Sequence, residues 1–263
     1  MSENSEILTQ TTIAVREAAE RLRQRFSPEA RPASVEALMS ALHANDEAVL
    51  ELLRPRLVEI RPEAGWVEEE LEGGELPPGE WWVVDPAEGN VNHVHGMPEW
   101  GVTATLVRDN EPVLTVVHLP LFDATYTALA GRGAHLNGRR LRVSDKTDLG
   151  LSIVGTSQAV PEPSPETLKA MSESIAAMLR DALIVRVSVP ASLHLLNVAA
   201  GSMDAFWQIA GTRADLLPGA LLVAEAGGVV TDVRGTPWTT RSETFLAAAP
   251  GVHKAVVASL SGR

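Results

Sequence analysis

The stretch Trp81-Trp82-Val83-Val84-Asp85-Pro86-Ala87-Glu88-Gly89-Asn90 governs the reading of this chain. A short apolar run ahead of turn-forming residues reads as a buried strand. That strand carries two carboxylates, Asp85 and Glu88, to its exit. Pro86 and Gly89 then break the chain, and Asn90 can open a helix. Carboxylates at a strand's end beside free backbone N–H groups suit both a divalent cation and a phosphate ester. The stretch therefore points to metal-dependent phosphate chemistry.

The totals set the bounds around it. The chain has 263 residues, 45% of them apolar and 21% charged, which fits an ordinary globular core in one domain or two fused subdomains. A net charge of −12 argues against non-specific binding to nucleic acid or to anionic membranes. No cysteine is present, which excludes disulfides, thiolate zinc sites and cysteine nucleophiles. The opening segment Met1–Gln10 is polar and acidic, unlike a secretory signal, and no apolar run approaches about 20 residues. The expected location is cytoplasmic, with no membrane and no nucleic-acid partner.

Outward from the central stretch, helical spacing runs from about Glu6 to Phe26. A second helix follows Ser34 as N-cap and is expected to stop at Pro55. The acidic segment Glu63–Glu80 reads as a loop or hairpin. The β-branched run Gly101–Val117 predicts two strands around a turn at Asp109-Asn110. Tyr126–Ala130 and the glycine-punctuated segment after it predict further strands. Helices are expected near Pro165–Arg180, Ser192–Ala200 and Ala214–Ala226, with a strand near Leu183–Val187. The three prolines within Ser157–Pro165 mark a subdomain boundary, dividing the chain into 1–155 and 156–263. Strands alternating with helices indicate the α/β class, a mixed sheet flanked by helices.

Four acidic positions can act together: Asp46, the Glu68-Glu69-Glu70 cluster, Asp85 with Glu88, and Asp215. Each alone reads as a solvated surface charge, Glu68–Glu70 most of all. Carboxylates from several segments suit Mg²⁺, which takes hard oxygen ligands. His93 and His95 read mainly as packing or hydrogen-bonding residues, with a ligand pair as the alternative. No Gly-x-x-x-x-Gly-Lys loop occurs, and Ser152, Ser157 and Ser192 lack a nucleophile-elbow context.

In these motifs the sequence resembles the inositol monophosphatase superfamily of magnesium-dependent, lithium-sensitive phosphatases. The family signature Asp-Pro-(Ile/Leu)-Asp-Gly-Thr-x-Asn-Phe stands here as Asp85-Pro86-Ala87-Glu88-Gly89-Asn90-Val91-Asn92-His93. The second signature, Trp-Asp-x-Ala-x-Gly with a following Glu-Ala-Gly-Gly, stands as Ala214-Asp215-Leu216-Leu217-Pro218-Gly219 and Glu225-Ala226-Gly227-Gly228. Between them Gly131–Ser144 follows the family's sheet segment closely. Asn45-Asp46 resembles its Thr-Asp element and Glu69-Glu70 its Gly-Glu-Glu element.

The resemblance implies a layered αβαβα fold, shared with fructose-1,6-bisphosphatase, and often a homodimer. It implies metal ligation by Glu69, Asp85, the Ala87 carbonyl, Glu88 and Asp215, with Mg²⁺ as cofactor. Glu69, Asn90 and Asp46 occupy its catalytic positions, Asp46 holding a further hydrated ion or orienting its water. The amides of Gly89 and Asn90 are expected to receive the phosphate, and Ala191, Gln208 and Asp215 to meet the rest of a phosphorylated small-molecule substrate.

Several positions depart from the family pattern. Glu88 for aspartate moves a carboxylate outward by one methylene, roughly 1.5 Å, and Mg²⁺ demands near-ideal geometry. Asn90 for threonine replaces a hydroxyl with an amide. Glu68 and Ala214 stand where a glycine and a tryptophan are expected. Val189-Pro190-Ala191 and Gln208 replace a Gly-Thr-Ala segment and a glutamate that contact inositol hydroxyls, which turns the expectation away from simple inositol monophosphate. The leading expectation is a phosphatase acting on a sugar, cyclitol, nucleotide or biosynthetic phosphate. The alternatives are a catalytically impaired ligand-binding protein on the same scaffold, and an enzyme repurposed to a reaction other than hydrolysis.

Overall fold

A computed structural model describes residues 3–68, 74–158, 162–210 and 213–262. The described chain forms two compact units. The first takes in Leu76–Ala130, His135–Arg139 and the described residues before 69, and the second Gly131–Ala134 and the chain from Arg140 onward.

In the first unit, α1 (Glu3–Arg25) buries Ile7, Thr11, Ala14, Val15, Ala18, Ala19 and Leu22, the three- and four-residue spacing of one helical face. Acids in its first turn and arginines in its last complement the helix dipole. Helix α2 (Val35–Ile60) starts at the Ser34 N-cap, whose hydroxyl accepts from the Ala37 amide at 3.1 Å. It does not stop at Pro55, contrary to the expectation. Val49, Leu53 and Leu57, spaced by four, are fully buried on one face that spans the proline. Burying each leucine is worth roughly 1.5–3 kcal/mol, which offsets a proline's cost of about 3 kcal/mol in a helix interior.

The sheet of this unit runs in chain order: β1 (Gly65–Trp66), β2 (Glu80–Glu88), β3 (Gly101–Arg108), β4 (Glu111–Leu119), β5 (Ala124–Leu129), β6 (Gly133–Leu136) and β7 (Arg139–Arg140). A one-turn helix α3 (Asn90–Val94) follows β2. The β3–β4 hairpin turns at Asp109-Asn110 as predicted, both residues at positive φ, the geometry of a type I′ turn. Trp82 and Val84 of β2 pack with Val102, Ala104 and Leu106 of β3 against α1 and α2.

The second unit holds β8 (Ile153–Thr156), α4 (Pro165–Asp181), β9 (Ile184–Val187), α5 (Ala191–Ala199), β10 (Ala205–Ile209), α6 (Arg213–Glu225), β11 (Val229–Thr231), β12 (Thr244–Ala248) and α7 (Pro250–Ser261). Its sheet order is β11-β12-β10-β8-β9, parallel across β10-β8-β9 and antiparallel across β10-β12-β11. Alternation along β10 sorts its two faces. Ala205, Trp207 and Ile209 join Met178 of α4 with Val256 and Leu260 of α7, while Phe206 stacks on His194 of α5. Helices α5 and α6 approach closely because a Cβ at Gly219 would run into Leu195. The α/β class with two sheets stands as expected.

Candidate active site

The strand β2 does not end at Asp85. Asp85 pairs with Thr103 and Glu88 with Gly101, so three steps along β2 answer two along β3. This is a β-bulge, and it accommodates Pro86, which has no N–H for the ladder. It also decides where the acids point. Residues three apart on a regular strand face opposite ways, and the extra residue returns Glu88 to the side of Asp85. The two carboxylates bring oxygens within 4.8 Å of each other. Thr103 Oγ1 accepts from the Asp85 amide at 3.3 Å, and Asp85 Oδ1 accepts from the Ala87 amide at 3.0 Å. Ala87 and Glu88 are only 3% and 2% exposed.

Gly89 takes the left-handed conformation, φ 75°, and its carbonyl accepts from the amides of Asn92 and His93. That turn sets Asn90 at the start of α3. The Asn90 amide donates to the Leu42 carbonyl at 3.0 Å and to Asp46 Oδ1 at 2.8 Å, and its oxygen accepts from Asn45 Nδ2 at 2.8 Å. Both amide hydrogens are thereby engaged. Burial pushes the Asp46 carboxyl up to about 6, against the opposing effect of the Asn90 hydrogen bond.

Asn45 is the hub behind them, 3% exposed. It donates to His93 Nδ1 at 3.0 Å and accepts from Arg25 Nε at 2.8 Å. His93 Nε2 donates to the Leu22 carbonyl at 3.0 Å, which leaves Nδ1 as the acceptor. Its ring lies edge-on to Trp100 and Phe26, and burial lowers its pKa, so it is neutral. His95 turns instead to the Val91 carbonyl. His93 is a packing and hydrogen-bonding residue.

In the second unit Asp215 occupies the first turn of α6 and is half-buried. Ala191 opens α5 after a cis Val189–Pro190 peptide and is 4% exposed. Gln208 is fully buried on the Phe206 side of β10, where its Oε1 accepts from Ser157 Oγ. Glu69, with Glu70, lies outside the described residues; Glu68 is held by Arg54.

The motif reading quoted Asn45 and Glu225 only as parts of motifs and missed their positioning roles. Asn45 connects α1, α2 and α3, and a further signal for it is a polar residue on a helix face otherwise built of Val49, Leu53 and Leu57. Glu225 accepts from the Gly131 and Gly133 amides at 2.7 and 2.6 Å, tying the end of α6 to the glycine-rich turn. A carboxylate just before paired glycines was the available hint.

Two sheets with this strand order, and paired acids at a bulge ahead of a glycine-led turn, are the frame of the candidate site. The chain belongs to the inositol monophosphatase family, whose description matches residues 3–262. It is 36% identical over 174 residues to the Nus factor SuhB of Pseudomonas aeruginosa, covering 66% of this chain and 63% of that protein. It is 35% identical over 191 residues to the inositol-1-monophosphatase of Rhizobium meliloti, covering 72% and 71%. The matched segments thus span about two thirds of those relatives' lengths. The solved inositol monophosphatase of Anabaena shares the fold, with a TM-score of 0.81 at 23% identity over 98% of this chain and 96% of that one. Among the described residues no helix is long and apolar enough to cross a membrane.

Proposed function

We propose that this protein is a Mg²⁺-dependent phosphatase hydrolysing the phosphate monoester of a small metabolite other than simple inositol monophosphate. The observation that carries the reading is the bulge pairing Asp85 with Glu88. Two carboxylate oxygens within 4.8 Å of each other, one of them on a glutamate 2% exposed, make the kind of hard-oxygen pair that holds a divalent cation. The donors are all hard oxygens, the ligand type that Mg²⁺ takes. The residues therefore fit the ion that the family implies.

In this reading the family resemblance assigns the cation to Asp85, Glu88, the Ala87 carbonyl, Glu69 and Asp215. The bound ion supplies charge neutralisation and a more acidic water. The amides of Gly89 and Asn90 receive the phosphate, and Asp46 would hold a further hydrated ion or orient its water. The resemblance assigns the alcohol portion to Ala191 and Gln208, and Gln208 would first have to release Ser157, which its Oε1 accepts from. Gln208 stands where a carboxylate contacts inositol hydroxyls in relatives, and a neutral amide is the weaker acceptor for those donors. That weakness supports a different substrate.

Asn90 favours a second reading. Its two amide hydrogens are committed to Leu42 and Asp46, so it has none left to donate to a water. A scaffold that binds a phosphorylated ligand but turns over slowly or differently fits that observation.

A panel of phosphate esters assayed for phosphate release with and without Mg²⁺ tests the first reading. Mg²⁺-dependent release that Asp85→Asn abolishes is the expected result. No release from any ester by metal-replete protein overturns it in favour of the second reading.

A further inference from the structure

Small residues open a cavity in the first unit whose lining does not include the paired acids. On α2, Ala37, Ala41 and Asn45 follow one another at four-residue intervals and so share one face. Two of the three lack bulk, and the space they leave is a cavity of about 250 Å³. Arg25 and Arg31 line it, with Asn45 and His93 as its polar wall.

Of the other arginines of α1, Arg23 pairs with Glu20 and Arg16 with Asp123, while Arg21, like the cavity arginines, makes no ion pair among the described residues. Among the described residues neither Arg25 nor Arg31 makes an ion pair with a carboxylate. Arg31 Nη1 is anchored instead by the carbonyls of Pro28, Ala30 and His95, and Arg25 Nε by Asn45. Anchoring through one nitrogen tethers each guanidinium and leaves its remaining donors for something else. His93 adds no charge, and Asn45 offers no anion. Two exposed guanidiniums, each tethered through one nitrogen, at one cavity without an acid are the donor set that recognises a planar or tetrahedral oxyanion.

We propose that this cavity binds a small oxyanion, a phosphate or carboxylate group, through Arg25 and Arg31. Arg25 donates to Asn45, and Asn45 donates to Asn90, so an occupant there also bears on the residue that opens α3. The proposal does not rest on the metal reading.

Calorimetric titration of the full chain with inorganic phosphate in EDTA, at low ionic strength, tests it. The expected result is one site, weakened at least about tenfold in the double variant Arg25→Gln, Arg31→Gln. Ala41→Met keeps both guanidiniums but fills the cavity, and it is expected to weaken binding as much. Asp85→Asn is expected to bind as the parent does. Parent-strength binding in either cavity variant, each shown folded by its thermal melt, overturns the proposal. So does the absence of binding to the parent at up to about 20 mM phosphate. Kinetics then separate two sources of the oxyanion. If it belongs to the substrate, the double arginine variant raises KM only for esters bearing a second acidic group. If it is a free anion, KM is unchanged for both kinds of ester.

Discussion

Asp85 and Glu88 stand three residues apart on β2 yet face partners only two apart on β3. That single surplus residue turns both acids to one side. Asp85→Asn keeps the shape and removes one charge, so it should lower Mg²⁺-dependent phosphate release at least about 10²-fold. It should also lessen the rise in melting temperature that Mg²⁺ gives the parent, because one cation ligand is lost. Turnover and melting temperature, each with and without Mg²⁺, check the pair of effects.

Asn90 and Asp46 give a second expectation. Asn90→Ala removes the donor to a half-buried carboxylate and the acceptor of the Asn45 amide. A loss of about 1–3 kcal/mol in urea unfolding is expected. Glu88→Asp combined with Asn90→Thr restores the family's side chains, and phosphate release per second should rise.

Acid should destabilise the protein through two histidines. Burial pushes His118 and His194 down to about 4, with Arg16 adding to the effect on His118 and Arg186 on His194. Their unfolded values lie near 6.5, so the stability they support is complete above that pH. It is lost as the pH falls from about 6.5 toward 4, where the unfolded chain binds protons first. Asp46 acts oppositely: its contribution is full below about 3.8 and lost as the pH rises through about 6. With two groups against one, urea midpoints should fall between pH 6.5 and 4.5. His194→Gln should flatten that decline.

Pro55 lies inside α2 and lacks the N–H that a helix interior uses. Pro55→Ala should raise stability by about 1 kcal/mol, measured by urea unfolding. An unchanged midpoint would mean that the surrounding helix has fully adapted to the ring.

Glu225 receives two amides from the Gly131–Gly133 turn. Glu225→Ala should cost about 1–3 kcal/mol and speed amide hydrogen exchange at Gly131 and Gly133.

The local elements read most clearly where side-chain period and turn chemistry agree. The hairpin at Asp109-Asn110, helix α1 and helices α4 to α6 all declare themselves this way. Strands β8, β10 and β12 escaped because short apolar runs have no period of their own. Two prolines misled for the same reason. Pro55 and Pro86 are breakers by local rule, but burial of Leu53 and Leu57 carries α2 through one, and a bulge absorbs the other. The acids of the site were legible as residues and motif. The network around Asn45 was not, since nothing in the spacing of residues 25, 45, 90 and 93 connects them.

By itself the sequence determined the α/β class and the chemical identity of the donors, which reside in residue type, order and periodicity, and its motifs pointed to the family and, through it, to the layered fold. Tertiary structure alone decided which way those donors face. A strand's side chains alternate, and only pairing with β3 reveals the extra residue that reverses Glu88. Likewise only packing of α1, α2 and α3 turns the Asn90 amide inward to Asp46, where its hydrogens are held.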